Sequence, residues 1–156
     1  METAYIKTPL GIARIVGDEN GISEISALDE GIVSEKTPSV LQEAVTQLQD
    51  YFQGKRTDFN FKLNPKGTDF QQRVWQELLN IPYGKSISYM DLSKKMGDVK
   101  AIRAAASANG KNPIWIVVPC HRVIGTDGSL TGYAGGLWRK KWLLEHENPT
   151  NQQSLF

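Results

Sequence analysis

The residues of this chain that are best suited to chemistry are three in a row: Cys120, His121 and Arg122. Cys120 is the only cysteine among 156 residues. A thiolate is a much stronger nucleophile than a thiol, and a neighbouring histidine or cation lowers the pKa of a thiol. The simpler interpretation is a small buried hydrophobic residue, as most lone cysteines are. The rest of the sequence has to decide between a nucleophile and a core residue.

The segment around Cys120 is predicted to be extended, because apolar runs flank it on both sides. A tight turn is expected over 125–129, and a glycine-rich loop over 132–136 could bring its backbone close to a flat ligand. The last helix is predicted from Leu137 to about Glu147. Its apolar side would carry Leu137, Trp138, Trp142, Leu143 and Leu144, and its outward side Arg139, Lys140 and Lys141.

The composition is that of a globular protein, with 40% hydrophobic and 22% charged residues and no apolar run of membrane-spanning length. One cysteine excludes an internal disulfide and suits a reducing cytoplasm, where we expect the protein. With only two histidines and one cysteine, no metal site and no cofactor are expected. Residues 1–63 hold 6 Lys and Arg against 10 Asp and Glu, whereas residues 64–156 hold 12 against 7. The basic half is a weak indication of a polyanionic partner.

The sequence predicts an α+β protein with two domains, residues 1–64 and 65–156. In the first, strands are expected over 5–7, 12–16 and 22–28, a helix over 41–52 and a short strand over 59–63, which together form a scaffold. In the second, helices are predicted over 70–79, 89–96 and 99–109, with caps at Thr68 or Asp69, at Ser88 and at Asp98. The last two helices, joined by a tight turn at Gly97, have the pattern of a helix-turn-helix.

The helix predicted over 99–109 is unusual because residues 104–108 are all alanine or serine. Small side chains let a helix backbone lie close to another surface. That surface is either a second helix or the groove of a nucleic acid, with Lys100, Arg103 and Lys111 contacting phosphates. A helix with so little side chain reads base edges poorly, so such DNA binding would be largely independent of sequence.

Several motifs in a fixed order together resemble the O6-alkylguanine-DNA alkyltransferases, also called methylated-DNA–protein-cysteine methyltransferases. The resemblance covers about residues 66–147. Its blocks are Phe70-Gln71 with Val74-Trp75, the region of Tyr89, Lys100 to Ala104, Pro119-Cys120-His121-Arg122, Tyr133 to Leu137, and Trp142 to Glu147. The family resemblance implies a ribonuclease-H-like first domain and a helical second domain with a helix-turn-helix or winged-helix character.

The resemblance also implies a role for individual residues. Cys120 would accept the alkyl group from O6 of a flipped-out guanine in double-stranded DNA, in one irreversible turnover of a monomeric protein. His121 would be the general base, Glu147 would hold its ring, Asn112 would tie this network to the preceding turn, and Tyr89 would donate a proton to the guanine. Arg103 would fill the place of the extruded nucleotide, with Lys100, Ala104 and Ala105 at the DNA. The guanine edge would be read by Cys120, Val123, Tyr133 and Ala134.

Two alternatives share this pattern. A damage sensor of the same fold would bind alkylated DNA without transfer, but such proteins lack the acceptor cysteine. A Cys-His hydrolase would turn over repeatedly and would need neither Arg103 nor the small-residue helix. O4-alkylthymine stays open as a second substrate. The chain has Ala105-Ala106 where the family usually has Val-Gly, and its residues 1–63 lack the Cys and His with which some relatives bind zinc.

Overall fold

The first region folds as an antiparallel meander, as its alternating pattern predicts. A computed structural model describes residues 1–130, 133 and 135–149. In it the strands pair in chain order, with Thr8 opposite Gly11 and Asp18 opposite Gly21. Both glycines have a positive φ, which side chains other than glycine rarely adopt, so the hairpins depend on them. The strands are β1 Glu2–Thr8, β2 Gly11–Asp18 and β3 Gly21–Leu28.

Helix α1, Gln42–Phe52, follows a short 3₁₀ turn at Ser39–Leu41 and buries one face, as predicted. The predicted strand over 59–63 is wrong, because within it only Leu63 pairs, in an isolated bridge to Ile22. The buried Gln47 explains this, since its side chain binds both the backbone N–H of Asn60 (3.1 Å) and its side-chain oxygen (2.6 Å). The backbone N–H of Asn60 is therefore not available to a neighbouring strand, and only the end of the segment bonds to β3, through Lys62 O and Asn64 N.

Contacts divide the chain into two compact units. One contains Met1–Lys66 with Pro113–Val117, and the other Gly67–Asn112 with the chain from Val118 onward. The segment 113–117 joins the first unit because Ile25 exchanges backbone hydrogen bonds with it, to Pro113 O and from Trp115 N, both 2.9 Å. The two domains predicted from the sequence, residues 1–64 and 65–156, did not place residues 113–117 with the first domain.

The second unit is built mainly from four helices with well-formed starts. Thr68 and Ser88 each form a capping box, in which the hydroxyl accepts a hydrogen bond from the backbone N–H three residues on. Asp98 caps a 3₁₀ turn, Val99–Ala101, that leads into the small-residue helix. The helices are α2 Asp69–Leu78, α3 Tyr89–Lys95, α4 Ile102–Gly110 and α5 Leu137–Glu147. Within the described residues, no helix combines the length and the apolar character of a membrane span.

The two faces of α4 differ. Ala105 and Ala108 are buried, and Trp75 of α2 donates its indole N–H to Ala108 O at 2.9 Å. Arg103, Ala104 and Ser107 are exposed. Tight helix packing therefore explains the small residues on the buried face. On the exposed face, the small side chains of Ala104 and Ser107 leave the helix backbone accessible beside Arg103.

The predicted strand through Cys120 is wrong. Ile116 has a φ of 72°, and Pro119 (φ −83°, ψ 65°) is the centre of an inverse γ-turn in which Cys120 N donates to Val118 O at 2.8 Å. Cys120–Arg122 is a 3₁₀ turn, and only Val123–Ile124 is extended, as β5, pairing in parallel with β4, Ile87–Ser88. The apolar run is buried as expected but is folded into turns.

The orientation predicted for the start of α5 is also wrong. Lys140 is 0% exposed and Arg139 5%, whereas Leu137 and Trp138 are 48% and 55% exposed. Arg139 donates to Gly135 O at 2.8 Å and stacks on the Trp138 ring, 4.5 Å from its centroid. The helix thus turns two cations inward, because both find partners there. Lys141 is exposed, and Leu143 and Leu144 are buried, as predicted.

Candidate active site

Cys120 lies at the start of its 3₁₀ turn with 8% of its surface exposed. Asn112 donates to Val118 O at 2.7 Å, so it braces the turn that precedes the cysteine. Burial raises the pKa of Cys120 above its ordinary value, while hydrogen bonds from Asn112 and Tyr133 and the charge of Lys140 act to lower it. The resting form at neutral pH is therefore the thiol, which needs a base before it can act as a nucleophile.

His121 and Glu147 form a buried pair. His121 Nε2 lies 2.7 Å from Glu147 Oε2, and the two side chains are 0% and 1% exposed. His121 Nδ1 is also buried and has no partner among the described residues. Since Nε2 faces a carboxylate, it carries the proton of the neutral ring and Nδ1 keeps a free lone pair. That nitrogen is the one able to accept a proton.

Arg122 is the third member of this buried group. Its Nε donates to Glu147 Oε1 at 2.8 Å, its Nη2 to Oε2 at 3.0 Å, and its Nη1 to Ile81 O at 2.7 Å. A two-point contact of this kind fixes both the position and the plane of the carboxylate. Arg122 therefore fixes the Glu147 carboxylate, and that carboxylate in turn orients the His121 ring.

The pKa values of this group follow from its burial and its charges. Burial alone would raise the pKa of Glu147, but His121 and Arg122 outweigh it, so the carboxyl stays ionised well below its usual range. Burial lowers the pKa of His121 more than Glu147 raises it, because the carboxylate already shares its charge with Arg122. At neutral pH the site thus contains a thiol, a neutral imidazole and an ionised carboxylate.

Lys140 is a fourth buried polar residue at this site. Its Nζ lies 5.7 Å from the ring centroid of Tyr89 and 5.9 Å from that of Tyr133, within the range of cation–π attraction. Burial lowers the pKa of Lys140 to about 8, and negative charge on the Cys120 sulfur, when it is present, opposes that shift. The amine is therefore mostly protonated at neutral pH.

The structure brings together most of the residues predicted for the chemistry. His121 contacts Glu147 directly, and Asn112 and Tyr133 act on the Cys120 thiol. Val123 is fully buried directly after the 3₁₀ turn, and the ring of Tyr89 lies 5.7 Å from Lys140 Nζ. Ala134 lies outside the described residues. The second histidine, His146, stacks on Trp142 and is not part of the group. Among the described residues, no three His, Cys, Asp or Glu side chains are grouped to bind a metal ion.

The residues predicted for DNA lie on α4 and the turn before it. Lys100, Arg103 and Ala104 are exposed, whereas Ala105 is fully buried and faces the helix packing. Ala105 was expected at the groove, but helical geometry places it with Ala108, on the side opposite to the open surface. Ser107 occupies the exposed position instead.

Sequence reasoning missed the roles of Arg122 and Lys140. Arg122 was noted only as a cation beside the thiol, although an arginine directly after the Cys-His pair could have suggested a partner for a distant carboxylate. Lys140 gave no signal, since three basic residues in a row normally indicate a solvated helix face.

Comparison with known proteins agrees with this geometry. The family model described as "6-O-methylguanine DNA methyltransferase, DNA binding domain" matches residues 69–149, and the one described as "6-O-methylguanine DNA methyltransferase, ribonuclease-like domain" matches residues 1–65. The methylated-DNA–protein-cysteine methyltransferase of Mycobacterium tuberculosis is 45% identical over 147 residues, which are 91% of this chain and 89% of the relative. The protein of the same name from Methanosarcina barkeri is 43% identical over 149 residues, 91% and 94% of the two chains.

Solved structures lead to the same assignment. The crystal structure of Mycobacterium tuberculosis OGT in complex with DNA has a TM-score of 0.87 at 43% identity, covering 96% of this chain and 94% of that chain. The crystal structure of the O6-methylguanine methyltransferase of the same organism has a TM-score of 0.85 at 42% identity, covering 95% and 93%. A small sheet domain followed by a helical DNA-binding domain, each matched by its own family model, is the fold of this class of methyltransferase. The chain belongs to the 6-O-methylguanine DNA methyltransferase family, so the resemblance and the α+β fold predicted from the sequence are confirmed.

Proposed function

We propose that this protein repairs DNA by moving the alkyl group of O6-alkylguanine irreversibly onto Sγ of Cys120. The observation that supports this most directly is the contact of His121 Nε2 with Glu147, which leaves Nδ1 free to take the thiol proton. A single thiol with a raised pKa is a poor nucleophile by itself, and a neutral buried imidazole is the base that it lacks.

In the proposed reaction, His121 accepts the thiol proton through a bridging water while sulfur attacks the alkyl carbon in line with the C–O bond. The C–S bond forms and the C–O bond breaks, and the leaving guanine takes a proton from Tyr89. The His121 imidazolium then returns a proton to the Tyr89 phenolate, so the net change moves the alkyl group to sulfur and one proton to guanine. Glu147 and Arg122 keep the imidazole in the tautomer that can accept.

The product is a thioether, which is neither a nucleophile nor a useful leaving group. We therefore propose a single turnover for each molecule. Because Cys120 must stay reduced to act, we further propose that the protein works in a reducing compartment such as the cytoplasm. One acceptor thiol per chain is enough for the proposed transfer, so we propose that it acts as a monomer.

DNA is proposed to meet the open face of α4. Lys100 and Arg103 are exposed there beside Ala104. Two cations that can contact phosphates thus lie next to a stretch of helix whose small side chains allow close approach. The target nucleotide would be flipped toward Cys120, with Arg103 in its place and Val123, Tyr133 and Ala134 around the guanine. α3 and α4 would then act as a helix-turn-helix whose affinity falls with salt.

The function is tested by intact mass spectrometry after mixing the protein with excess duplex containing O6-methylguanine. We expect a gain of one methyl group per protein molecule and no repair beyond one equivalent. Binding of the duplex without a mass gain would identify a sensor, and repair beyond one equivalent would identify a hydrolytic enzyme; either result overturns the proposal.

Arg103→Ala is expected to slow repair in duplex DNA by about 10- to 100-fold, because unstacking a base costs a few kcal/mol that the inserted side chain offsets. Reaction with the free alkylated base should change little, since no nucleotide has to be extruded. Single-turnover rates on the two substrates check this, with Lys111→Ala, another exposed cation at the far end of α4, as the charge-matched control. Equal losses on both substrates would rule out the extrusion role.

A further inference from the structure

Asn109, in the last turn of helix α4, is a buried polar residue that takes no part in the chemical steps proposed above. It is 2% exposed. The backbone beside it is fixed, because Trp75 of α2 donates its indole N–H to Ala108 O at 2.9 Å. The exposed face of the same helix carries Arg103 and Ala104, which are proposed to meet DNA. Asn109 therefore occupies a fixed position on the helix that is proposed to contact the substrate.

The side-chain amide of Asn109 contacts the backbone of the acceptor cysteine. Its Nδ2 donates to the carbonyl oxygen of Cys120 at 3.4 Å. Because a carbonyl oxygen can only accept, the nitrogen is the amide atom that faces Cys120. The same carbonyl also accepts the backbone N–H of Val123, so it has a donor within its own segment. The bond from Asn109 is thus a link between α4 and the 3₁₀ turn, and the turn does not need it to satisfy that carbonyl.

The oxygen of the Asn109 amide makes the residue a poor stabiliser of the fold. Oδ1 is buried and has no hydrogen-bond donor among the described residues. Burying an acceptor without a donor costs stability, and a single donor bond of 3.4 Å offsets that cost only in part. Gln47 in the first unit is a contrast, since its buried amide binds Glu43 at 2.7 Å and Asn60 at 2.6 and 3.1 Å. The contact with Cys120 is therefore the feature of Asn109 that needs a functional explanation.

We infer that Asn109 is a positioning residue for the alkyl transfer, which fixes the backbone of Cys120 to helix α4. This inference rests on the proposed function of Cys120 as acceptor. In that reaction contacts with α4 place the target nucleotide, whereas the backbone of Cys120 places the sulfur. In-line attack requires the two to keep their relative position, and a displacement of about 1 Å can slow a reaction about 100-fold. Asn112 braces Val118 O from the segment after α4, and Asn109 adds a link that begins on the helix itself.

The test separates the orientation of the thiol from its reactivity and from the stability of the fold. Asn109→Leu keeps the branched shape of the side chain but removes the amide, and Asn109→Ala decides the question if leucine does not fit. Gln47→Met removes a fully bonded buried amide and is the matched control. For each protein we would measure the single-turnover rate of methyl transfer from a saturating O6-methylguanine duplex, the affinity for that duplex, the rate of Cys120 alkylation by iodoacetamide, and the melting temperature.

In both Asn109 variants we expect the saturated transfer rate to fall about tenfold or more, with the affinity for the duplex within about twofold of wild type. The exposed face of α4 is unchanged, and iodoacetamide needs no fixed orientation, so its reaction with Cys120 should not slow. The melting temperature of Asn109→Leu should lie within about 2 °C of wild type or above it, because the unpaired acceptor is removed. Gln47→Met should melt at a lower temperature than wild type and transfer at the wild-type rate.

Transfer by the folded Asn109 variants at the wild-type rate would overturn the inference. An equal slowing of transfer and of iodoacetamide alkylation would also overturn it, because the thiol would then have lost reactivity and not orientation. The same loss of transfer in Gln47→Met would trace the effect to lower stability, with the same consequence. Absence of transfer in wild type would instead refute the proposed function, whereas normal transfer by wild type and by the Asn109 variants refutes the inference alone.

Discussion

In a Cys120→Ala variant we expect no alkyl group to reach the protein from a methylated duplex, while the affinity for that duplex is retained. The chain contains no second thiol, so no residue can take over as sulfur nucleophile. His121, Glu147 and the exposed face of α4 are untouched by the change. Removing one buried sulfur leaves only a small cavity, which should cost about 1 kcal/mol of stability. The measurement is transfer of a radioactive methyl group to protein, together with binding by fluorescence anisotropy.

Cys120→Ser serves as the matched control for this variant. A hydroxyl restores a polar atom of similar size in the same place, but its pKa is far too high for it to act as the acceptor. Both variants should therefore bind and neither should be labelled. Full labelling of either variant would show that another residue is the acceptor and would refute the assignment of Cys120.

The parts of the fold that the sequence predicted are those governed by local patterns. Alternation along 22–28 gave β3, and the hydroxyls of Thr68 and Ser88, each just before a helical pattern, gave the starts of α2 and α3. These signals are carried by neighbouring residues, and the structure confirms them because no distant contact competes with them. At 59–63 a distant contact does compete, because Gln47 binds the backbone N–H of Asn60 and the segment pairs with β3 only at Leu63.

The site was predicted as a group of residues but not in its geometry. A run of β-branched residues favours a strand, and nothing in it reveals that Ile116 takes a positive φ or that Pro119 centres a γ-turn. The inward turn of Lys140 likewise depends on Tyr89, about fifty residues earlier in the chain. The functional roles of Tyr89, Arg103 and Glu147 stay predictions, and of these the Arg103→Ala variant tests the role of Arg103.

Arg122→Met is expected to destabilise the fold by about 3–5 kcal/mol and to lower the melting temperature by roughly 10 °C. The change removes the guanidinium that binds Glu147 at two points and leaves a buried carboxylate without its main counter-ion. It also leaves Ile81 O, an acceptor at 2.7 Å, without its donor. Methionine matches much of the arginine stem, so little of the loss comes from packing. Urea denaturation of the variant and of wild type measures the difference.

The loss of stability in Arg122→Met should depend on pH in a definite direction. In wild type the pKa of Glu147 is depressed, so its contribution to stability is present above the ordinary carboxyl pKa and is lost only as the pH falls through the low folded value. In Arg122→Met the buried pair of Glu147 and His121 takes up a proton more readily, because the cation that opposed it is gone. The deficit of the variant relative to wild type should therefore be largest at neutral and alkaline pH and should shrink toward pH 5.

A double mutant separates the charge from the rest of the contact. Glu147→Gln keeps a hydrogen-bonding partner for His121 but removes the negative charge. Added to Arg122→Met it should restore part of the lost stability, whereas alone it should destabilise, since it leaves Arg122 as an uncompensated buried cation. The coupling energy of the cycle should exceed about 1 kcal/mol. Simple additivity of the two changes would mean that Arg122 stabilises the site through packing and its bond to Ile81, and not through the charge that orients Glu147.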